Sequence, residues 1–155
     1  GIHDADSSSD PSLRKEFAPE GWHVPSDTEW TTLEEYLIAS EYNYDGTNTE
    51  NKIAKAMSST TGWNSSTTGW NGSTRAGAVG NNQSINNSSG FNAFPEGSRT
   101  NDGSFINEGS DAVFWSSTEY STYFARTRYL MSRYSYCQRH KNSKRNGFSV
   151  RFVRD

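Results

Sequence analysis

Residues 21–37 read GWHVPSDTEWTTLEEYL and carry the signals of a short strand followed by a helix. The first part, WHVP at 22–25, reads as the strand. Ser26 and Glu29 then form a capping box, in which each side chain bonds the backbone N–H of the other residue and opens a helix. The helix should bury a stripe at i, i+3 and i+7 spacing that fades around Ser40. This stripe consists of Trp30, Leu33 and Leu37, with Tyr36 more loosely placed.

The C-terminal end shows the second ordered pattern. Residues 147–155 read GFSVRFVRD, so three apolar residues alternate with polar ones. Alternation with period two places Phe148, Val150 and Phe152 on one face of a strand, and Ser149 and Arg151 on the other. The sequence therefore predicts a C-terminal strand that contributes three large side chains to the core.

The segment before this strand is rich in tyrosine. Residues 120–136 hold five of the eight tyrosines, interleaved with Ser, Thr and Arg. Tyr supplies stiff, amphipathic contact area at low entropic cost, and Ser and Asn supply adaptable hydrogen bonds, as in paratopes. Tyr also favours strands, so ordinary sheet composition is the plain alternative. The tyrosines are too many and too irregularly spaced for one short strand, and we favour a binding surface.

Charge is distributed unevenly along the chain. Residues 121–155 hold nine Lys and Arg against Asp155 alone, a net charge of +8, whereas residues 1–120 carry −11 and the total is −3. In one interpretation, the basic end neutralises the acidic body across the fold. In the other, it forms a positive surface for an acidic or polar partner. Charge asymmetry alone does not choose between them.

Composition bounds the class of protein. The hydrophobic share is 31% and aromatics make up 14%, so large rings must supply much of the core. We expect residues 1–17 to be a polar N-terminal extension and residues 18–155 to be one domain. No run of about eighteen apolar residues could span a bilayer, so we expect no membrane insertion by this segment. The five residues expected mainly in the core are Trp22, Trp30, Trp63, Trp70 and Trp115.

The middle of the chain combines a short helix with long polar loops. A second helix is predicted at 49–57, with an inner face of Ile53, Ala54, Ala56 and Met57. Residues 58–113 are dominated by Ser, Thr, Asn and Gly, and SSTTGWN occurs twice, at 58–64 and 65–71. Two copies are too few for a solenoid, so we interpret them as a duplication in a surface loop. The aromatics expected to tie these loops down are Trp63, Trp70, Phe91, Phe94 and Phe105.

Four motifs in collinear order resemble one family. They are GWHVPSDTEWTTLEEYL at 21–37, GFNAFPEGSRTNDGSF at 90–105, FWSSTEY at 114–120 and GFSVRFVRD at 147–155. Together they are similar to the Fibrobacter succinogenes major paralogous domain over about residues 20–155. That family resembles the C-type-lectin-fold proteins, which include formylglycine-generating enzymes and the variable proteins of diversity-generating retroelements.

The resemblance implies an α+β, C-type lectin-like fold. Its two terminal strands pair, two helices flank them, and long ordered loops are held by aromatics. The implied small antiparallel sheet contains strands around 113–118, 124–130 and 147–153. In retroelement-diversified relatives the C-terminal segment forms the ligand surface, with fixed framework positions between variable ones. This places a candidate variable region at 120–146.

The resemblance also sorts individual residues. The framework positions are Trp115, Ser116, Ser117, Ala125, Arg128, Leu130, Ser135, Arg139, Lys144, Gly147, Phe148, Val150 and Arg151. The exposed, ligand-binding candidates are Tyr123, Phe124, Arg126, Thr127, Tyr129, Met131, Ser132, Arg133, Tyr134, Tyr136, Gln138, His140, Asn142, Arg145 and Asn146. Two positions depart from the family pattern: Arg126 stands where Trp is common, and Phe152 where Cys is common. We interpret Arg126 as a further diversified contact.

Other chemistries find less support. Cys137 and His140 with scattered histidines make a weak zinc set, because a structural site needs four ligands. No Asp or Glu lies between Ser121 and Arg154, which disfavours a calcium site of the lectin type there. One cysteine removes the paired-thiol chemistry of a formylglycine-type oxidase, and fold does not imply function. Arg and Lys among aromatics leave nucleic acid as the main rival partner.

The resemblance thus implies a non-enzymatic, ligand-binding domain of receptor or adhesion type that requires no metal or cofactor. We expect it to be a variable protein on a cell, extracellular or virion surface, with a protein or another surface macromolecule as its ligand. The alternative is an undiversified structural or adhesive surface module of the same family. A nucleic-acid binder and a formylglycine-type enzyme rank lower.

Overall fold

The computed structural model describes residues 17–65 and 74–155, which form an α+β arrangement of two helices and small antiparallel sheets. Helix α1, Asp27–Ala39, follows the N-cap Ser26. The Ser26 hydroxyl accepts from the Glu29 N–H at 3.2 Å, and the Glu29 carboxylate accepts from the Ser26 N–H at 2.8 Å. The predicted capping box is therefore confirmed. Trp30 and Leu37 are buried, whereas Tyr36 is 63% exposed and lies outside the stripe.

Helix α2, Ala54–Met57, is shorter than the predicted helix at 49–57. Glu50 has a φ of 62°, in the left-handed region, so helical geometry cannot run continuously from residue 49. The inner face is correct, because Ile53, Ala54, Ala56 and Met57 are all buried. The local pattern therefore identified which residues face the core but not where the helix begins.

The long loop after α2 is fixed by a lysine. Lys55 is only 4% exposed, and its ammonium donates to the carbonyl oxygens of Asn81 and Asn82 and to Asn86 Oδ1, at 2.5, 3.2 and 2.8 Å. Burial lowers the pKa of Lys55 to about 8. These bonds hold the 3₁₀ turn Gln83–Ile85 and its flanks against α2.

Aromatic residues anchor this loop region only in part. Trp63 is buried and Phe91 packs against the core, as predicted. Phe94 and Phe105 are 44% and 80% exposed, so the prediction is wrong for these two residues. Trp70 and most of the second SSTTGWN copy lie outside the described residues.

The two ends of the described chain pair, as the resemblance implies. Strand β1, Trp22–His23, is antiparallel to the last strand, Val153–Arg154. His23 reinforces the pair through ring-nitrogen contacts of 2.6 Å to Asp155 and 2.7 Å to Glu29. These carboxylates, Asp155 foremost, raise the pKa of His23.

Two further sheets complete the fold. Strands β2, Ser98–Arg99, and β3, Phe105–Ile106, form a short hairpin. The main sheet has the antiparallel order β4-β5-β6, where β4 is Asp111–Ser121, β5 is Phe124–Met131 and β6 is Gln138–Ser143. Strands β4 and β5 match the predictions at 113–118 and 124–130. The terminal strand Val153–Arg154 is numbered β7.

The third strand of the main sheet was assigned to the wrong residues. It is β6, QRHKNS, which has no apolar alternation from which a strand could be recognised. The segment predicted as a strand at 147–153 instead follows the opposite edge of β4. There the Ser149 N–H donates to Val113 O and the Trp115 N–H to Ser149 O, both at 3.0 Å, in a parallel bridge. Phe148, Val150 and Phe152 are half-buried, like the residues between them, so no apolar face is buried.

The core lies between the two helices and the main sheet. Trp30, Phe91 and Phe114 pack with ring centroids 5.6 to 5.8 Å apart. Trp30 and Trp63 are buried and Trp115 is half-buried, but Trp22 is 45% exposed, so its predicted core position is wrong. Trp22 lies on a two-residue strand at the chain end, where little packs over it. Within 17–65 and 74–155, no helix is long and apolar enough to cross a membrane.

Candidate functional site

Beneath the main sheet, an ion-pair network joins β5 and β6 to α1. Arg128 is 1% exposed and donates to Asp27 Oδ1 at 2.6 Å, to Glu34 Oε1, and to Thr31 Oγ1 at 3.1 Å. Arg139 donates to Asp27 Oδ2 at 2.5 Å. We call Asp27, Glu34, Arg128 and Arg139 the buried frame, in which the first three side chains are 1–13% exposed and Arg139, 51% exposed, closes the network from the surface. It fixes the position of the sheet on the helix.

The electrostatics of the frame follow from its geometry. Arg139 foremost, together with Arg128, lowers the pKa of Asp27 to about 2. Burial raises the pKa of Glu34 against the pull of Arg128. Removing one partner from a buried guanidinium and its two carboxylates strongly destabilises the fold, because a buried charge is left uncompensated. These roles agree with the framework assignment of Arg128 and Arg139.

Other framework cations are also bound within the fold. Lys144 pairs with Glu119, and Arg151 donates to Phe91 O at 2.8 Å while its guanidinium lies 4.5 Å from the Phe91 ring centroid. The ion pairs of the buried frame and of Lys144 show the basic C-terminal end partly neutralising the acidic body, at Asp27, Glu34 and Glu119, in line with the first of the two charge interpretations. Fewer of the nine Lys and Arg in residues 121–155 therefore contribute positive charge at the surface than the sequence alone suggests.

The outer face of the main sheet presents aromatic and amide side chains. Tyr129 contacts the rings of His140 and Phe148, with centroids 5.6 and 6.1 Å apart. Phe148 also packs on Trp115 at 4.7 Å. His140 is exposed and Tyr129 half-buried, and burial raises the pKa of Tyr129. Among the ligand-binding candidates, Tyr129, Gln138, His140 and Asn142 share this face.

Two candidates are not exposed, and the prediction is wrong for both. Thr127 is 0% exposed because it lies on the central strand between Trp115 and His140, and its hydroxyl accepts from Asn142 Nδ2 at 2.8 Å. Ser132 is also 0% exposed. Its backbone is enclosed by bonds to Ser110 and Gly80 at 2.8 and 2.7 Å. Neither side chain can meet a ligand on this conformation of the surface.

The hairpin between β4 and β5 carries the most exposed candidates. Tyr123 is 70% exposed and Phe124 39%. Next to them, the Arg126 guanidinium lies 4.6 Å and the Lys141 ammonium 4.3 Å from the ring centroid of Tyr120. Tyr120 and Lys141 were not among the candidates. The sequence does carry one signal for the position of Arg126. Arg126 and Arg128 are two residues apart on β5, so their side chains lie on the same face of the strand.

A second group of candidates lies in the connection between β5 and β6. Tyr134 and Tyr136 stack with centroids 5.0 Å apart, and the Arg133 guanidinium lies 5.1 Å from the Tyr134 ring centroid. Tyr136 is 37% exposed and Met131 is half-buried. Seven steps of about 3.4 Å place this group roughly 24 Å from Phe124, at the other end of β5. The candidates therefore occupy both ends of the sheet and the outer face between them.

The remaining candidates follow β6 in a turn. Arg145 is exposed and Asn146 half-buried, and the Asn146 N–H donates to Ser143 O at 3.0 Å. This turn lies at the same end of the sheet as the β4–β5 hairpin, because Ser143 is paired with Phe124.

Neither metal ligands nor a deep pocket coincide with the candidates. Within the described ranges, no three His, Cys, Asp or Glu side chains are grouped to hold a metal ion. Cys137 is buried and burial raises its pKa, and the exposed His140 contacts Gln138 Oε1 at 3.1 Å. Two open depressions of ≈ 450 and ≈ 400 Å³ lie around Glu96 and Glu108, and no candidate residue lines either one.

Comparison with known proteins gives one match. The sequence model of the Fibrobacter succinogenes major domain covers residues 5–154. No curated protein and no solved structure matches the chain. Because the family match extends over nearly the whole sequence, the chain belongs to the Fibrobacter succinogenes major domain family.

Proposed function

We propose that this chain is a non-enzymatic ligand-binding domain with a C-type lectin-like fold, which contacts a protein or another surface macromolecule through residues 120–146. One observation carries the proposal. The strands that bear the buried frame also carry exposed aromatic rings at both of their ends, and the exposed imidazole of His140 on their outer face. Tyr123, Phe124 and Tyr136 are 70, 39 and 37% exposed. Large apolar groups held in solvent on a rigid support are typical of a contact surface.

The dimensions of the surface are compatible with a macromolecular ligand. An interface of standard size buries about 800 Å² on each partner, which is roughly 30 Å across. Such an interface can include the hairpin, the outer face and the β5–β6 connection together. A small ligand would instead favour a concave, largely apolar pocket. The spread of the candidates over both ends and the outer face of the sheet, together with the tyrosine-rich composition, therefore supports a protein or surface polymer as the ligand class.

We further propose that the segment is diversified by a retroelement, and that the domain acts on a cell, extracellular or virion surface as a receptor or adhesin. The support is the separation of roles: framework residues make the internal ion pairs, and thirteen of the fifteen variable candidates are exposed or half-buried. An undiversified surface module of the same family would have the same frame and constant contact residues.

The first experiment measures tolerance. Saturation libraries at Tyr123, Tyr136 and His140, and at Arg128 and Leu130 as matched framework positions, would be displayed on yeast and sorted for protease resistance. We expect the first three positions to accept most amino acids, because surface substitutions stay within about 0.5 kcal/mol. Equal intolerance at both sets would refute a diversified surface on this frame.

The second experiment tests diversification directly. The coding sequence of residues 120–146 would be compared with any near-duplicate in the source genome. We expect the two copies to differ only at positions where one of them has adenine. We also expect a reverse-transcriptase gene to lie beside them. A genome with no such copy and no such gene would leave the undiversified surface module in place.

A further inference from the structure

A like-charged pair lies at the hairpin end of the main sheet, where Arg126 is half-buried and Lys141 is exposed. Arg126 of β5 and Lys141 of β6 are direct cross-strand partners in the antiparallel register. Like charges directly opposite each other on one face destabilise a sheet. Such a local cost is expected at functional positions.

Both cations are directed at the same ring. The Lys141 ammonium lies 4.3 Å and the Arg126 guanidinium 4.6 Å from the centroid of Tyr120, which is itself 46% exposed. The hydrogen bond from Lys141 lowers the pKa of Tyr120. We call Tyr120, Arg126 and Lys141 the basic-aromatic cluster.

Acidic groups of the fold neutralise this cluster poorly. Asp27 Oδ2 lies 4.0 Å from Arg126, but the same carboxylate accepts from Arg128 at 2.6 Å and from Arg139 at 2.5 Å. Among the residues that the structure describes, no carboxylate forms an ion pair with Lys141. The cluster therefore presents two positive charges beside an aromatic ring, with only a shared carboxylate to balance them.

We propose that the basic-aromatic cluster is a subsite for a carboxylate side chain of an acidic protein ligand, with Tyr123 and Phe124 contacting an apolar neighbour of that carboxylate. Arg and Lys donate charge-assisted hydrogen bonds to carboxylates. The inference rests on the proposed function and names the chemistry of its ligand.

The charge distribution favours an acidic peptide over nucleic acid. Polynucleotide binding gains most of its affinity from many phosphate contacts along a basic track. Here the other basic residues of β5 and β6, Arg128 and Arg139, are already paired with Asp27. Residues 1–120 carry a net charge of −11 and would repel a polyanion. Two residual charges suit one or two carboxylates.

The test uses the full chain and a defined probe. A fluorescein-labelled peptide of alternating Glu and Phe would be titrated in fluorescence anisotropy, beside the same peptide with Gln in place of Glu and a labelled single-stranded DNA. Arg126→Gln/Lys141→Gln removes the cluster's charge. The matched control is Arg99→Gln/Arg154→Gln, which removes two exposed arginines elsewhere and gives the same net charge.

We expect the Glu peptide to bind the natural chain and the control equally, and the cluster variant about tenfold more weakly, as loss of charge-assisted bonds implies. The Gln peptide should not distinguish the three proteins. The cluster variant should be at least as stable to urea as the natural chain, because a like-charge pair is removed. This stability readout separates lost binding from lost folding.

Two results would overturn the inference. One is equal affinity of all three proteins for the Glu peptide, or no binding by the natural chain. The other is tighter binding of the DNA through Arg126 and Lys141, which would make the cluster a phosphate site. Either result leaves the tolerance experiment unaffected, so failure of the subsite and failure of the proposed function are distinguishable.

Discussion

Arg126 and Arg128 lie two residues apart on β5 and on the same face of the main sheet, but they have opposite surroundings. Arg128 is 1% exposed and bound by Asp27 and Glu34. Arg126 reaches Asp27 only at 4.0 Å and extends over the Tyr120 ring. On β6, Arg139 is bound by Asp27, although its side chain is 51% exposed, whereas Lys141 extends over the Tyr120 ring. The difference follows from helix α1, which starts at Asp27 and brings that carboxylate within hydrogen-bond distance of Arg128 and Arg139 only.

The comparison indicates how one strand can serve two purposes. Cations over the helix gain carboxylate partners within hydrogen-bond distance, so they stabilise the fold. Cations beyond the helix N-terminus have no carboxylate to themselves, so they remain available to a ligand.

Deletion of residues 147–155 should abolish cooperative unfolding. It removes the bonds of Ser149 to β4, the β1–β7 pair and the Phe148 contact with Trp115. Each large apolar side chain is worth about 1.5–3 kcal/mol when fully buried, against a total stability of about 5–15 kcal/mol. Thermal scans by circular dichroism would measure the loss. Deletion of Asp155 alone is the control, and a cooperative transition in the longer deletion would show that the frame stands without the terminal segment.

Arg128→Met should destabilise the chain by about 3–5 kcal/mol, because the largely buried Glu34 loses its partner and Asp27 keeps only Arg139 within hydrogen-bond distance. Arg126→Met should change stability by no more than about 0.5 kcal/mol. Urea unfolding of both variants measures the difference. If the two variants lost comparable free energy of unfolding, the distinction between the buried frame and the basic-aromatic cluster would be wrong.

Acid should weaken the frame through Asp27. The pKa of Asp27 falls from 3.8 to about 2 on folding, so its contribution is present above 3.8 and is lost as the pH drops through about 2. A shift of this size corresponds to about 2 kcal/mol. Glu29, whose pKa is also lowered to about 2, titrates in the same range. Carbon-detected NMR of the Asp27 carboxyl group follows the titration of Asp27 separately from that of Glu29. A titration of Asp27 near its ordinary pKa of 3.8 would contradict the prediction.

Exposed tyrosines should matter least for stability. Tyr123→Ser combined with Tyr136→Ser should alter the free energy of unfolding by no more than about 0.5 kcal/mol per site. Tyr129→Ser is the sharper comparison on the outer face, because that ring is half-buried against His140 and Phe148. We expect it to cost more than the other two together in urea unfolding. The reverse order would mean that the outer face belongs to the core.

The sequence by itself determined the features that depend on neighbouring residues. The capping box at Ser26 and Glu29 marks the start of α1 because both bonds form within one helical turn. The spacing of Trp30, Leu33 and Leu37 identified the buried stripe, and the tyrosine-rich composition located the candidate surface. The family motifs placed the paired terminal strands, in which Trp22 and its partner Arg154 are 132 residues apart in the sequence.

Only the tertiary structure decided what depends on distant packing. Strand β6 is polar on both faces, so its place in the sheet comes from pairing with β5 rather than from a hydrophobic period. Thr127 and Ser132 are buried because other segments enclose them, although their sequence context resembles that of exposed positions. The separate roles of Arg126 and Arg128 arise in the same way. Local sequence makes both arginines members of one strand face. Only the end of a helix more than ninety residues earlier in the chain leaves Arg128 enclosed by carboxylates and Arg126 half-buried against an exposed ring.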